Sequence, residues 1–145
     1  MSNFLSTKEL EKHIKDTYTR VESYAREDNV YKPLDVYFDI GTPHGEPGDS
    51  CYSDDEGYHI GGIEIRGDLT TTVTDSLFEA TYQVLRDNIF WMSAQYELKN
   101  RVKGQDSRRI MFDRRLQYWN AIGEEFAERE EARINEVLER NPFVD

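Results

Sequence analysis

Residues 75–104 read DSLFEATYQVLRDNIFWMSAQYELKNRVKG, and their period decides the fold. Phe78, Tyr82, Leu85, Ile89, Met92 and Tyr96 step by four and three, while Leu77, Val84, Trp91 and Leu98 form an adjoining row seven apart. So wide an apolar stripe predicts a helix buried on most of its circumference. Ser76 and Glu79 have capping-box spacing, and Gly104 after Arg101 and Lys103 supplies a stop, so a helix of ~28 residues is expected. Phe90 and Trp91 in this helix, and Tyr118 and Trp119 beyond it, fall at core spacing and are read as buried area.

Toward the C-terminus, Asp106 or Ser107 can cap a helix carrying Ile110, Phe112, Leu116 and Trp119. Gly123 interrupts it before a last helix with Phe126, Ile134, Val137 and Leu138, which ends at Asn141-Pro142. Toward the N-terminus, Ser6 with Glu9 opens an amphipathic helix from Ser6 to Arg26, with Leu10, Ile14, Tyr18 and Val21 on one face. The intervening residues switch to period two. Leu34 to Ile40 alternates behind Pro33, Tyr58 to Arg66 alternates through Ile60, Ile63 and Ile65 with Gly61-Gly62 as a bulge or turn, and Leu69 to Val73 is threonine-rich. Gly41 to Ser50 holds three glycines and two prolines and reads as a loop. The expected fold class is α+β in one domain, 1–145: an N-terminal helix, a small mainly antiparallel sheet, a long helix and two further C-terminal helices.

The 145 residues carry 18 Lys+Arg against 29 Asp+Glu, a net charge of -11, and 37% are hydrophobic, enough for one core. The charge is not spread evenly. Residues 1–33 are neutral; residues 34–75 hold Arg66 against ten acids (Asp35, Asp39, Glu46, Asp49, Asp54, Asp55, Glu56, Glu64, Asp68, Asp75), a net -9; residues 76–145 contribute -2. That polarity argues against direct nucleic-acid binding, which needs a basic face. It suits either a solubilising surface or the steering of a basic partner. No apolar run approaches the ~18 residues of a membrane span. The opening Met1 to Ser6 has neither a basic nor a hydrophobic leader region, and Cys51 is a lone cysteine, so a reducing cytoplasm is expected, with no membrane association.

His44, Cys51 and His59 lie within sixteen residues beside Asp49, Asp54 and Asp55, but their spacing matches no metal motif. They are read as a loop cysteine and two surface histidines. Asp54-Asp55-Glu56-Gly57 lacks the ligand register of a calcium loop. No phosphate-binding glycine loop, nucleophile elbow or zinc-protease string occurs. No catalytic residue, metal or cofactor is therefore expected. Glu97 with Arg101 is read as an intrahelical ion pair, and Asp106 with Arg109 as a charge at a helix start. Tyr52 and Tyr58 flank Asp54-Asp55-Glu56 in an expected loop, and tyrosine exposed beside charge has the composition of a binding surface.

Tyr58-His59-Ile60, Glu64-Ile65-Arg66-Gly67, Leu77-Phe78-Glu79-Ala80-Thr81-Tyr82, and above all Met92-Ser93-Ala94-Gln95-Tyr96-Glu97-Leu98-Lys99-Asn100-Arg101 resemble the immunity protein 63 family of bacterial polymorphic toxin systems. Gly104 to Phe112, Glu136-Val137-Leu138 and Asn141-Pro142-Phe143 are similar to that family too, so the resemblance covers roughly residues 58–145. It implies an α+β protein, not an enzyme, that binds and neutralises a toxin encoded beside it. Residues 41–57 form a Gly/Pro/acid insertion where such relatives often run directly from strand to strand, which marks it as the partner-specific part. Many such toxins act on nucleic acids or nucleotides through a basic face, and an acidic inhibitor would be steered to it. The expected toxin contacts are Asp49, Tyr52, Asp54, Asp55, Glu56 and Tyr58. Two other classes compete: a small hydrolase or transferase using His44, Cys51 or His59, and a regulatory module that oligomerises through the long helix.

Overall fold

The computed structural model describes residues 3–40, 47–63 and 68–145. In chain order these form α1 (Thr7–Glu27), β1 (Gly48–Asp54), β2 (Gly57–Ile63), β3 (Leu69–Thr74), α2 (Leu77–Lys99), α3 (Ser107–Ile122) and α4 (Glu124–Arg140). The class is α+β, with helix first, an antiparallel sheet of order β1-β2-β3, then three helices. No helix among the described residues is long and apolar enough to cross a membrane. Two compact units share the chain, Met1–Thr17 with Leu34–Arg86 and Tyr18–Pro33 with Asp87–Asp145, so α1 and α2 each contribute to both.

In the first unit, α1 starts at the expected capping box. The Glu9 amide donates to Ser6 Oγ at 3.2 Å, and the Ser6 amide donates to the Glu9 carboxylate at 2.9 Å. Leu10, Ile14 and Thr17 are buried on one face, while Lys12–Asp16 and Lys15–Glu11 pair along the exposed side. β2 is the central strand, with Gly61 opposite both Ser50 and Thr71 and Gly62 opposite both Asp49 and Thr70. The register is continuous, so the two glycines make neither bulge nor turn. They serve close approach: a Cβ on Gly61 would stand 2.0 Å from the Thr70 carbonyl oxygen, and one on Gly62 2.1 Å from that of Gly48.

Two strand expectations change. Gly48 to Ser50, expected in a loop, open β1, which continues to Asp54. Leu34 to Ile40 forms no strand; only Tyr37 bridges Ser50 in parallel, donating to the Asp49 carbonyl and accepting from the Cys51 amide. Its alternation records one-sided burial, with Leu34, Val36 and Phe38 partly covered and their neighbours exposed. The remainder of the expected loop, 41–46, and the end of the expected second strand, 64–67, lie outside the described residues.

In the second unit, α1 closes on Asn29 at φ 57°, where the Val30 amide reaches the Ala25 carbonyl and the Asn29 amide that of Arg26. This is a Schellman arrangement with asparagine in the left-handed position. α2 ends at Lys99, short of Gly104, because Asn100 turns back. Its amide donates to the Glu97 carbonyl and its side chain to that of Tyr96. Gly104, at φ 83°, belongs to the following loop. Tyr18, Val21, Ile89, Met92, Phe112, Tyr118, Trp119, Ile122, Phe126 and Ile134 build the core, with Trp119 stacked on Phe126. Arg115 and Glu130 are buried 3.7 Å apart within it.

Phe90 and Trp91, expected in the core, are instead 49% and 41% exposed, because the stripe on α2 is wider than the elements packed on it. Asp106 caps α3 as expected, accepting from the Arg108 amide. Its ionic partner is Arg108 rather than Arg109, which pairs with Asp145. Arg108 also donates to the Asn141 and Pro142 carbonyls, and Arg109 lies over the Phe143 ring, so the C-terminal residues are clamped on the start of α3. Arg108 and the Val144 and Arg108 amides hold the Asp106 carboxyl far below the usual carboxylate range.

Candidate functional site

The acidic run closes a β-hairpin. Asp54 pairs with Gly57, so Asp55 and Glu56 alone make the turn, and Gly57 at φ 138° takes a conformation that other residues rarely adopt. A Cβ there would also stand 2.6 Å from the Thr74 carbonyl oxygen. The Asp54 carboxylate accepts from the Glu56 amide at 2.8 Å, the local bond that makes aspartate a turn former. The same oxygen stands 2.8 Å from His59 Nε2. That hydrogen bond, with the Glu56 amide, holds the Asp54 carboxyl below its ordinary value, so it is ionised at neutral pH. Tyr52, directly across the ladder from His59, stacks on it with ring centroids 4.5 Å apart and planes within 3°.

Register divides the six expected contact residues between two faces, since directly opposed residues share a face and neighbours along a strand alternate. Tyr52 and Asp54 share one face with His59, and Asp55 and Glu56 stand exposed in the turn beside them. Asp49 and Tyr58 share the opposite face with Cys51 and Ile60. Asp49 is exposed there, but Tyr58 is 3% exposed and belongs to the core. Its hydroxyl accepts from the Leu5 amide at 2.9 Å and its ring meets Phe4 edge-on. The Ser53 amide donates to Thr7 Oγ1 and the Ser53 hydroxyl to the Leu5 carbonyl, so the hairpin is tied to the entry of α1 on this side. A shallow cavity of about 250 Å³ opens there, lined by Phe4, Leu5, Ser6, Glu9 and Ser53 to Asp55.

The other candidate groups also move. Cys51 and His59 are buried, not on a loop and the surface as expected, and His44 lies outside the described residues. Burial pushes the Cys51 thiol up to about 12, so it is protonated at neutral pH. Cys51 and His59 project to opposite faces and make no thiol–imidazole couple. A ring nitrogen of His59 and carboxylate oxygens of Asp54 and Glu56 lie within 4.8 Å of one another, close enough for a cation. The Asp54 oxygen already serves the Glu56 amide and the His59 ring, so the arrangement is that of a hydrogen-bonded turn. Glu97 and Arg101 form their ion pair at 2.7 Å, but Arg101 lies beyond the helix end and folds back onto it.

Like Cys51 and Tyr58, His59 lies where sequence reasoning did not place it. The available signal was the two-residue spacing between Asp54 and Gly57, which makes a hairpin and sets His59 beside Asp54 and across from Tyr52.

Charge follows the same partition. The first unit carries five basic and fourteen acidic residues, a net -9, and the second the remaining -2. The exposed turn Asp54-Asp55-Glu56 is its densest described acidic stretch.

No curated protein and no solved structure gives a significant match to the chain. A family model described as Immunity protein 63 matches residues 54–136, from the last residue of β1 into α4. Because that match spans more than half of the sequence, the chain belongs to the immunity protein 63 family.

Proposed function

We propose that this protein binds and neutralises a cognate toxin of a bacterial polymorphic toxin system, as one domain over 1–145, and that it does so in the cytoplasm. The first unit, with the β1–β2 hairpin at its acidic tip, masks a basic face of that toxin. Family membership supports the immunity role. The observation that carries the mode of binding is the exposed Asp54-Asp55-Glu56 turn within a unit of net charge -9. Such a surface accelerates encounter with a basic partner and disfavours acidic ones. The partner it fits is a toxin domain that works on nucleic acids or nucleotides, whose active face must itself attract phosphate. Tyr52 adds a half-buried aromatic ring, pre-oriented by His59, that loses little rotamer freedom on docking. Asp49 extends the acidic edge on the other face, while Tyr58 supports the hairpin from within.

The test is charge reversal at the turn. Asp55→Lys/Glu56→Lys leaves the Asp54–His59 bond in place and should slow association with the toxin by about tenfold at low salt, with little change in thermal stability. Unchanged association rate and affinity would overturn the acidic-masking mode.

A further inference from the structure

The two edges of the sheet differ. On β1, Tyr37 lies along the outer edge, its amide donating to the Asp49 carbonyl and its carbonyl accepting from the Cys51 amide. β3 pairs with β2 alone, and among the described residues no strand or bridge meets its outer edge. α2 meets β3 on a face of the sheet, where the Thr72 hydroxyl donates to the Gln83 side chain at 3.3 Å. Thr72 is exposed, as are Leu69 by 41% and Val73 by 48%. Exposed edges are ordinarily guarded by proline, charge or a bulge, since their outward amides and carbonyls template other chains. Leu69-Thr70-Thr71-Thr72-Val73-Thr74 has none of these guards: it is uncharged, β-branched after Leu69 and paired with β2 without a break.

We infer that an extended, basic segment of the cognate toxin adds to β3 as a fourth strand, an inference that rests on the neutralising role proposed above. Charge selects this occupant. Asp68 and Asp75 stand immediately before and after β3, and both are exposed. Two copies of the strand, parallel or antiparallel, would set acid against acid at both ends, between units of net charge -9 each. A basic segment meets the same ends with opposite charge. In such an addition the backbone ladder supplies affinity and alternate side chains supply specificity. Cross-strand pairing puts Val73 in one row with His59 and Tyr52, so Leu69 and Val73 offer apolar contacts on the face that carries Asp54. Thr74 lies beside Gly57, which sets Asp75 at the same end of the sheet as the Asp54-Asp55-Glu56 turn. The added strand and the acidic turn therefore share one continuous surface.

Amide hydrogen exchange of this protein, alone and with its purified cognate toxin, tests the inference. Alternate amides of β3 should exchange fast in the free protein, and toxin binding should slow those same amides about tenfold or more. Val73→Lys guards the edge with a charge of the incoming strand's sign; its fold checked by circular dichroism, it should speed toxin dissociation about tenfold. Asp55→Lys/Glu56→Lys, by contrast, should slow association and keep the β3 protection once bound. Tight binding without added protection on β3, or with dissociation unchanged by Val73→Lys, overturns strand addition and leaves acidic masking in place. Protection of β3 that grows with concentration in the protein alone assigns the edge to a second copy and overturns it as well. Absence of any binding overturns it together with the neutralising role.

Discussion

Replacing Gly61 with alanine tests the sheet at its tightest point. The new Cβ would start 2.0 Å from the Thr70 carbonyl oxygen and 2.8 Å from Thr71 Cα, both backbone atoms of β3. A carbon–oxygen contact relaxes near 3.2 Å, so β3 must retreat by more than ~1 Å where it pairs with β2. That displacement breaks about two ladder hydrogen bonds, worth ~1 kcal/mol each, and adds ~1 kcal/mol of overpacking strain. The expected loss is therefore ~3 kcal/mol, read as a lower urea midpoint at unchanged slope. Gly104→Ala is the control: nothing lies within 4 Å of its Cβ, so only the left-handed backbone at φ 83° resists, at ~1 kcal/mol. A Gly61→Ala protein within ~0.5 kcal/mol of wild type would refute the continuous ladder and restore a bulge at Gly61-Gly62. The same melts test the single domain, which predicts one transition reported alike by tyrosine and tryptophan signals.

Cys51, buried with its thiol pushed up to about 12, should resist iodoacetamide at neutral pH in the native protein and react once urea unfolds it; rapid native labelling would contradict its placement. Glu130→Ala removes the buried carboxylate 3.7 Å from the Arg115 guanidinium and should cost about 3 kcal/mol, whereas Glu130→Leu/Arg115→Met should cost less than that single change. The carboxyls of Asp54, Asp106 and Asp145 are held below their unfolded values, near 3.9, so they stabilise the fold above that pH. Their contribution is lost as pH falls through the folded values, and Asp106→Asn, destabilising at pH 7, should converge on wild type in strong acid.

The helices were legible because their ends carry local chemistry and their faces a clear period. Ser6 with Glu9, the Ser76 hydroxyl accepting from the Glu79 amide, and Asp106 all cap as their spacing required. β1 was not legible. Gly48-Asp49-Ser50-Cys51-Tyr52-Ser53-Asp54 has low strand propensity, and it pairs because β2 offers an edge, which is a tertiary effect. The reverse error at Leu34 to Ile40 has the same origin: alternation reports which side is covered, not whether a partner strand is present. Tyr58 shows how this reaches the candidate site, since one step of register separates its core ring from the opposite face, where the half-buried Tyr52 covers His59. The breadth of the stripe on α2 was read as burial throughout, yet its width at Phe90 and Trp91 is surface.

The most direct test of the central claim is the association rate between this protein and its cognate toxin, followed across ionic strength. Steering by the acidic hairpin predicts tight one-to-one binding whose association slows about tenfold between low and high salt while dissociation changes little. Tight binding at a salt-independent rate would contradict acidic masking, and no binding at all would contradict toxin neutralisation by this chain.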